Sequence, residues 1–418
     1  LQNGYNHSCH HPSPHKIPVK EVLENPAALH NSNYKKEQRV KMLNGVRPKE
    51  CDYCWRIEDQ GKDHFSDRHY KTADWWSWDK VDVIASDNPT RDVYPTYLEV
   101  SFSNACNFAC AYCSPEISSK WMKDIEKNGD YPVEFGSGNL DYLRSVDKFP
   151  YKHSDPNPYV DAFWKWFPEA LPHLKVFRMT GGEPTMSKDV WKTLDYIYEN
   201  ANPELSIAIN SNLGTTPELI QRLVDAVNKL KDKVKQIEIY TSAEAIGEQA
   251  EYIRDGMDYD YWRSNVEKVL SETDANVAIM TTLNILSMTT FENFIEDIMQ
   301  LRIKYNKDLA NNRIPLSINY LRFPPHLQCT LLDRNTRISY ASDYELTAKV
   351  WLKYNSPDKF ARIYLEEYDQ IQRFCEYLRQ EHKGDEKYRA DFVNYIKAYD
   401  IRRDKNFSKT FPEYKHLL

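Results

Sequence analysis

Three cysteines stand close together in SFSNACNFACAYC, at Cys106, Cys110 and Cys113, with the spacing C-x3-C-x2-C. Thiolates are the usual protein ligands of iron–sulfur clusters, where each iron takes a tetrahedral set. Three ligands on a cubane leave one iron open, and an open iron can bind something other than protein. Zinc is the simpler alternative. It wants a fourth donor, however, and this spacing lacks the paired C-x2-C units of a zinc ribbon.

Further along, LKVFRMTGGEPTM runs from an apolar strand into Gly181-Gly182-Glu183-Pro184. Two glycines permit positive φ or a close backbone approach, and the proline fixes the exit. With Tyr112 directly before the last cysteine, the two motifs in this order resemble the radical S-adenosylmethionine (radical SAM) superfamily. The resemblance implies a 4Fe-4S cluster on Cys106, Cys110 and Cys113 whose free iron chelates the amino and carboxylate groups of S-adenosyl-L-methionine. One electron then cleaves the sulfonium to a 5′-deoxyadenosyl radical, which abstracts hydrogen from a substrate. It also implies that Gly181, Gly182 and Glu183 grip the methionine amino group. Asn210 and Asn212, Ser242 and Glu244, and Asn284 close later strands and would contact the ribose, adenine and carboxylate of the cofactor. Arg254, in YIRDG, either pairs with the cofactor carboxylate, for which a guanidinium is the natural bidentate partner, or makes a solvated salt bridge.

Upstream lie Cys9 and the pair Cys51 and Cys54, within RVKMLNGVRPKECDYCWRIEDQG and leading into SDR. This stretch resembles the small twitch or SPASM domain that binds an auxiliary cluster in radical SAM enzymes, although most relatives carry it after the barrel. The resemblance implies an auxiliary iron–sulfur cluster at Cys9, Cys51 and Cys54. Zinc, completed by a nearby histidine, is the alternative. The missing ligand would come from His7, His10, His11, Cys329 or bound substrate. Cys375, in a charged helical stretch, reads as a buried inert thiol.

These residues need a scaffold. YPTYLEVSFS, KVFRMT, LSIAINSN, KQIEIYTS, NVAIMTTLNI and LSINYLRF read as strands, and VWKTLDYIYENA, PELIQRLVDAVNKLK, YWRSNVEKVLSE and TFENFIEDIMQLRIKY as helices between them. Such alternation predicts an α/β fold built of parallel β/α units, and six strands fit the partial (β/α)6 TIM-like barrel of the resemblance. Chemistry in such barrels gathers at the C-terminal strand ends. We expect residues 1–90 to form a small N-terminal metal-binding domain, 91–330 the barrel, and 331–418 a helical C-terminal cap over one end of it. Trp75, Trp76 and Trp78 either line a substrate platform or pack, and Trp164 and Trp166 anchor a helix.

Composition narrows the class. The chain has 418 residues, 41% of them hydrophobic, enough for a sizeable core. A run of about 18 apolar residues that would span a bilayer is missing, as is a secretory apolar stretch near the start, so a cytoplasmic enzyme is expected. Net charge is -7 with both signs interspersed, which gives no strong nucleic-acid signal. The resemblance implies an electron donor such as flavodoxin or ferredoxin. Its auxiliary-cluster members favour a peptide or protein substrate, against a sugar, nucleoside or other small molecule. A non-catalytic zinc-bound interaction protein is the reading outside enzymology.

Overall fold

The computed structural model describes all residues except 10, 11, 87, 136, 137, 153, 154, 308–310, 353–357, 359, 360 and 383, together with the side chains at 81 and 386. Six strands form one parallel sheet in sequential order: β1 (Tyr97–Ser101), β2 (Val176–Thr180), β3 (Asn202–Asn210), β4 (Val234–Ser242), β5 (Asn276–Leu283) and β6 (Leu316–Tyr320). β1 and β6 do not pair, so the barrel is partial, as the strand count predicts. Helices α1 (Ser119–Asn128), α2 (Pro158–Ala170), α3 (Lys188–Glu199), α4 (Pro217–Leu230), α5 (Tyr259–Glu272) and α6 (Phe291–Tyr305) make up the crossovers. Phe177, Met179, Ile207, Ile209, Ile239, Val277 and Ile279 are buried on the helix side of the strands. The alternate residues face the bore, which is polar.

An open barrel has two free edges whose backbone groups need partners. The backbone N–H of Gln2 donates to Ser101 O (3.1 Å), which satisfies the end of β1. At the other edge, Leu316 and Ile318 N–H groups donate to Glu367 Oε1 (2.8 Å) and Gln370 Oε1 (2.6 Å). Those acceptors belong to α8 (Leu365–Arg379), which packs beside α7 (Arg334–Val350). Helices α7 and α8 therefore seal the β6 edge of the barrel. A third helix, α9 (Arg389–Arg403), lies against the cysteine loop: Tyr395 Oη donates to Ala111 O (2.6 Å).

The N-terminal segment opens with a short antiparallel pair, Tyr5–Asn6 with His15–Lys16. The motif that carries Cys51 and Cys54 has a physical role of its own. Arg47 and Arg68 lie over the Trp55 ring at 5.1 and 4.4 Å, and Arg68 forks onto Glu58 at 2.7 and 2.8 Å. Those hydrogen bonds from Arg68 pull the Glu58 carboxyl from 4.5 down to about 2. A depressed carboxylate contributes stability that is full above its unfolded pKa and is lost as pH falls through the folded one. Hydrogen exchange of the helix Asp52–Glu58 should therefore accelerate as pH falls from 4.5 toward about 2, after correction for intrinsic exchange, and Glu58→Gln should flatten that response. An unchanged profile in the variant would disprove the role given to this pair.

Candidate functional site

The cysteine loop follows β1 and is pinned by the residues between its thiols. Phe108, Ala109 and Ala111 are buried while Cys106, Cys110 and Cys113 stay partly open. Ala109 and Ala111 N–H groups donate to Asp255 O (2.8 Å) and Ile253 O (2.7 Å), so the loop is zipped to the segment after β4. Trp121 Nε1 on α1 donates to Cys110 O (2.8 Å). Phe108 fits beneath Gly214, where a Cβ would meet its ring at 2.3 Å.

Burial pushes the Cys106 thiol up to about 12, with Cys110 adding to the shift, and it raises Cys110 and Cys113 as well. Free thiols here stay protonated at neutral pH, so a cationic partner has to displace their protons. The three thiols feel one another's charge. Yet no three His, Cys, Asp or Glu side chains among the described residues are gathered closely enough to hold one metal ion. A cluster takes each thiolate on a different iron, so its ligands are spread around a larger body. Three thiols on one loop are the donor chemistry of a cubane whose fourth iron stays open.

The glycines after β2 serve the loop directly. Gly181 has φ of 129°, and a Cβ on Gly182 would lie 2.3 Å from Ala105 O and 2.6 Å from Asn104 O. The turn docks through Gly182 N–H to Ser103 O (3.2 Å) and Glu183 N–H to Ala105 O (2.6 Å). Glu183 is only 1% exposed. Its carboxylate accepts from Thr185 N (3.0 Å), Thr185 Oγ1 (2.7 Å), Ser211 Oγ (2.9 Å) and Asn212 N (2.6 Å). Glu183 is thus a strut between the ends of β2 and β3. Asn212 Nδ2 donates to Asn107 Oδ1 (2.8 Å), which extends the strut to the cysteine loop.

The remaining strand-end residues divide. Asn210 accepts from Arg178 Nε (3.0 Å) in the bore, beneath the loops. Ser242 closes β4 with its side chain partly open. Asn284 is fully buried and caps the turn after β5, accepting from Leu286 N (3.0 Å), so its side chain is committed to backbone and not to a ligand. Glu244 and Arg254 meet at 2.5 Å beside Cys110, both buried, and Arg254 is no solvated salt bridge. Sequence reasoning passes over Arg178, whose guanidinium lies 4.1 Å from the Tyr240 ring centre and 3.9 Å from Glu99. Its signal is a lone charge inside the apolar strand VFRMT.

Cys9 and Cys54 lie near enough to Cys51 for their charge to act on it. Burial, Glu50 and the two other thiols push Cys51 up to about 11. Cys9 and Cys51 line a cavity of about 630 Å³ that reaches Glu99, Ser101 and Thr180 at the barrel end. His7 sits close enough to act on Glu50, whereas His10 and His11 lie outside the described residues. Cys329 is buried near Arg337 and Tyr344 of α7, away from these thiols, so it is not their fourth ligand. Trp76 lines the cavity and meets Tyr97 at 5.1 Å. Trp75 lies under Lys235, and Trp78 is exposed. No helix among the described residues is long and apolar enough to cross a membrane.

Residues 100–298 match the family model described as Radical SAM superfamily, a stretch that holds the end of β1, the cysteine loop, the glycine turn and β2 through β5. Two relatives are each 27% identical over 130 residues: the GTP 3′,8-cyclases of Sulfurovum sp. (strain NBC37-1) and Sulfurimonas denitrificans (strain ATCC 33889 / DSM 1251). The aligned stretch covers 31% of this chain and 31% of each relative.

Proposed function

We propose that this chain, which matches the Radical SAM superfamily model over residues 100–298, is a radical SAM enzyme whose cysteine loop and strand ends hold a 4Fe-4S cluster and S-adenosyl-L-methionine opposite a substrate chamber formed with the N-terminal thiols. Once bound, the pair supplies a 5′-deoxyadenosyl radical by one-electron reduction, with the electron coming from a donor such as flavodoxin or ferredoxin. The single observation that carries the reading is the interlocked pair of motifs: the cysteine loop rests on the glycine turn at a distance that no side chain at Gly182 would permit.

The protein's own residues do the positioning. Glu183 and Asn212 fix the ends of β2 and β3 against the loop, and Glu183 Oε2, whose single donor among the described residues is Asn212 N, is the oxygen free to accept from an amino group. Ser101 at the end of β1 and Thr180 at the end of β2 line the same cavity as Cys9 and Cys51. In this reading Cys9, Cys51 and Cys54 hold an auxiliary iron–sulfur cluster, and the divisions 1–90, 91–330 and 331–418 mark the three parts.

The cavity also bears on substrate. Its volume, about 630 Å³, suits a small molecule, and Lys35, Arg39, Arg68 and Lys71 outnumber Glu50, Glu99 and Glu116 along its walls. Trp76 and Tyr97 add aromatic surface. We therefore place an anionic small molecule with a planar part ahead of a peptide, which agrees in class with the GTP in the relatives' name.

The test is iron, sulfide and zinc per chain after anaerobic reconstitution, with 5′-deoxyadenosine production under dithionite, in the parent and in a Cys106/Cys110/Cys113 triple alanine variant. About eight irons should fall to about four, as loss of one cubane requires, and 5′-deoxyadenosine should disappear. Four falling to none would reassign the Cys9, Cys51 and Cys54 site. No specific iron in the parent would sink the proposal.

A further inference from the structure

We propose that Arg254 and Glu244 form a buried charge pair that sets the reduction potential of the cluster at Cys110, Arg254 raising it and Glu244 lowering it. The inference rests on the cluster assignment above and departs from the expectation that Arg254 clamps the cofactor carboxylate.

Geometry assigns the pair to the sulfur. Arg254 Nη1 lies 3.8 Å from Cys110 Sγ. Its Nη2 donates to Glu244 Oε2 (2.5 Å) and to Tyr112 Oη (2.5 Å), and Tyr112 Oη reaches both Glu244 oxygens at 3.2 Å. Arg254 is 6% exposed and Glu244 1%, so neither charge is relieved by water. Arg254 Nε is buried with no hydrogen-bond partner among the described residues, the mark of a guanidinium held for reasons other than satisfying its own donors. A pair standing alone in the interior is weak evidence for stability. Beside a redox-active ligand it has another consequence.

Reduction adds one electron to a body already carried by anionic thiolates and takes up no proton from this pair. The added negative charge is favoured by a guanidinium at contact distance and disfavoured by a carboxylate, and low local polarity strengthens both effects. Donors to ligand sulfur and nearby net charge are the protein's levers on cluster potential. Arg254 also acts on Cys113, so its influence covers two of the three ligands. Glu183 acts on Cys106 with the opposite sign. Tyr112 shares the Arg254 donor and holds the pair in register; it is a positioning residue.

The experiment is an anaerobic redox titration of the reconstituted protein, read by the electron paramagnetic resonance of the reduced cluster, with S-adenosyl-L-methionine absent. Cys9, Cys51 and Cys54 are replaced by alanine in every sample so that one cluster is observed. Arg254→Gln should shift the one-electron equilibrium at least tenfold toward the oxidised form, which is about 59 mV downward. Glu244→Gln should shift it at least tenfold upward, and the double variant should return near the parent. Should Arg254→Gln lose its cluster, Glu244→Gln alone decides by the sign of its shift. Shifts of the same sign, or none, with intact cluster signals overturn the inference. Absence of iron and signal in the parent would instead overturn the cluster assignment beneath it.

Discussion

Gly182→Ala is expected to lose about 3 kcal/mol of stability and most of the iron bound at the cysteine loop, because the added methyl has nowhere to go. The atoms it would strike, Ala105 O at 2.3 Å and Asn104 O at 2.6 Å, are backbone, so no rotamer change relieves the clash. Relief requires the loop to lift, and lifting breaks Glu183 N–H to Ala105 O (2.6 Å) and moves the peptide that leads into Cys106. A control separates this from the general cost of a lost glycine. Gly247 has φ of 50° and no described residue within 4 Å of its absent Cβ, so Gly247→Ala carries only the left-handed backbone penalty, about 1–2 kcal/mol, and should keep its iron. Urea denaturation and iron content of the two variants give the comparison. Equal losses would mean that the turn at Gly182 does not support the loop.

Much of the fold is legible in the sequence because it is local. Alternation in KQIEIYTS and the three-to-four spacing in PELIQRLVDAVNKLK each report which face is covered, and the strands and helices fall there. The thiols and the glycine turn are legible too, since their chemistry lies in residue type and spacing. What those residues touch is not. Arg254 and Cys110 are 144 residues apart, and nothing in YIRDG says that its guanidinium ends beside a sulfur. Glu183 reads as a ligand for an amino group, yet three of its four hydrogen bonds hold Ser211, Asn212 and the backbone of Thr185, because a carboxylate at a strand end is the nearest acceptor for the next strand's turn. Cys329 is a candidate ligand until the path after β6 carries it under α7. The closing of the β6 edge is equally hidden. It depends on side chains from α8, which sequence reading takes only as part of a helical cap.

That edge supplies the other large expected effect. Glu367→Ala should cost about 3–5 kcal/mol, the range for breaking a buried ion pair from one side. Arg302 is fully buried on α6, and it donates to Glu367 at 2.9 Å from Nη1 and 2.6 Å from Nη2. The same carboxylate accepts Leu316 N (2.8 Å) on β6 and Tyr364 N (3.0 Å) at the start of α8. Its removal strands a buried guanidinium and two backbone donors at once. By contrast Glu345 and Arg379, which tie α7 to α8 nearer the surface with side chains 18% and 35% exposed, should cost at most about 1 kcal/mol when Glu345→Ala separates them. Denaturant midpoints measure both, and hydrogen exchange at Leu316 locates the difference. A loss below about 1 kcal/mol for Glu367→Ala would mean that β6 holds its place through β5 alone. If the full loss appears, the C-terminal helices are part of the barrel's closure, and truncating them should open the bore that carries Arg178 and Asn210.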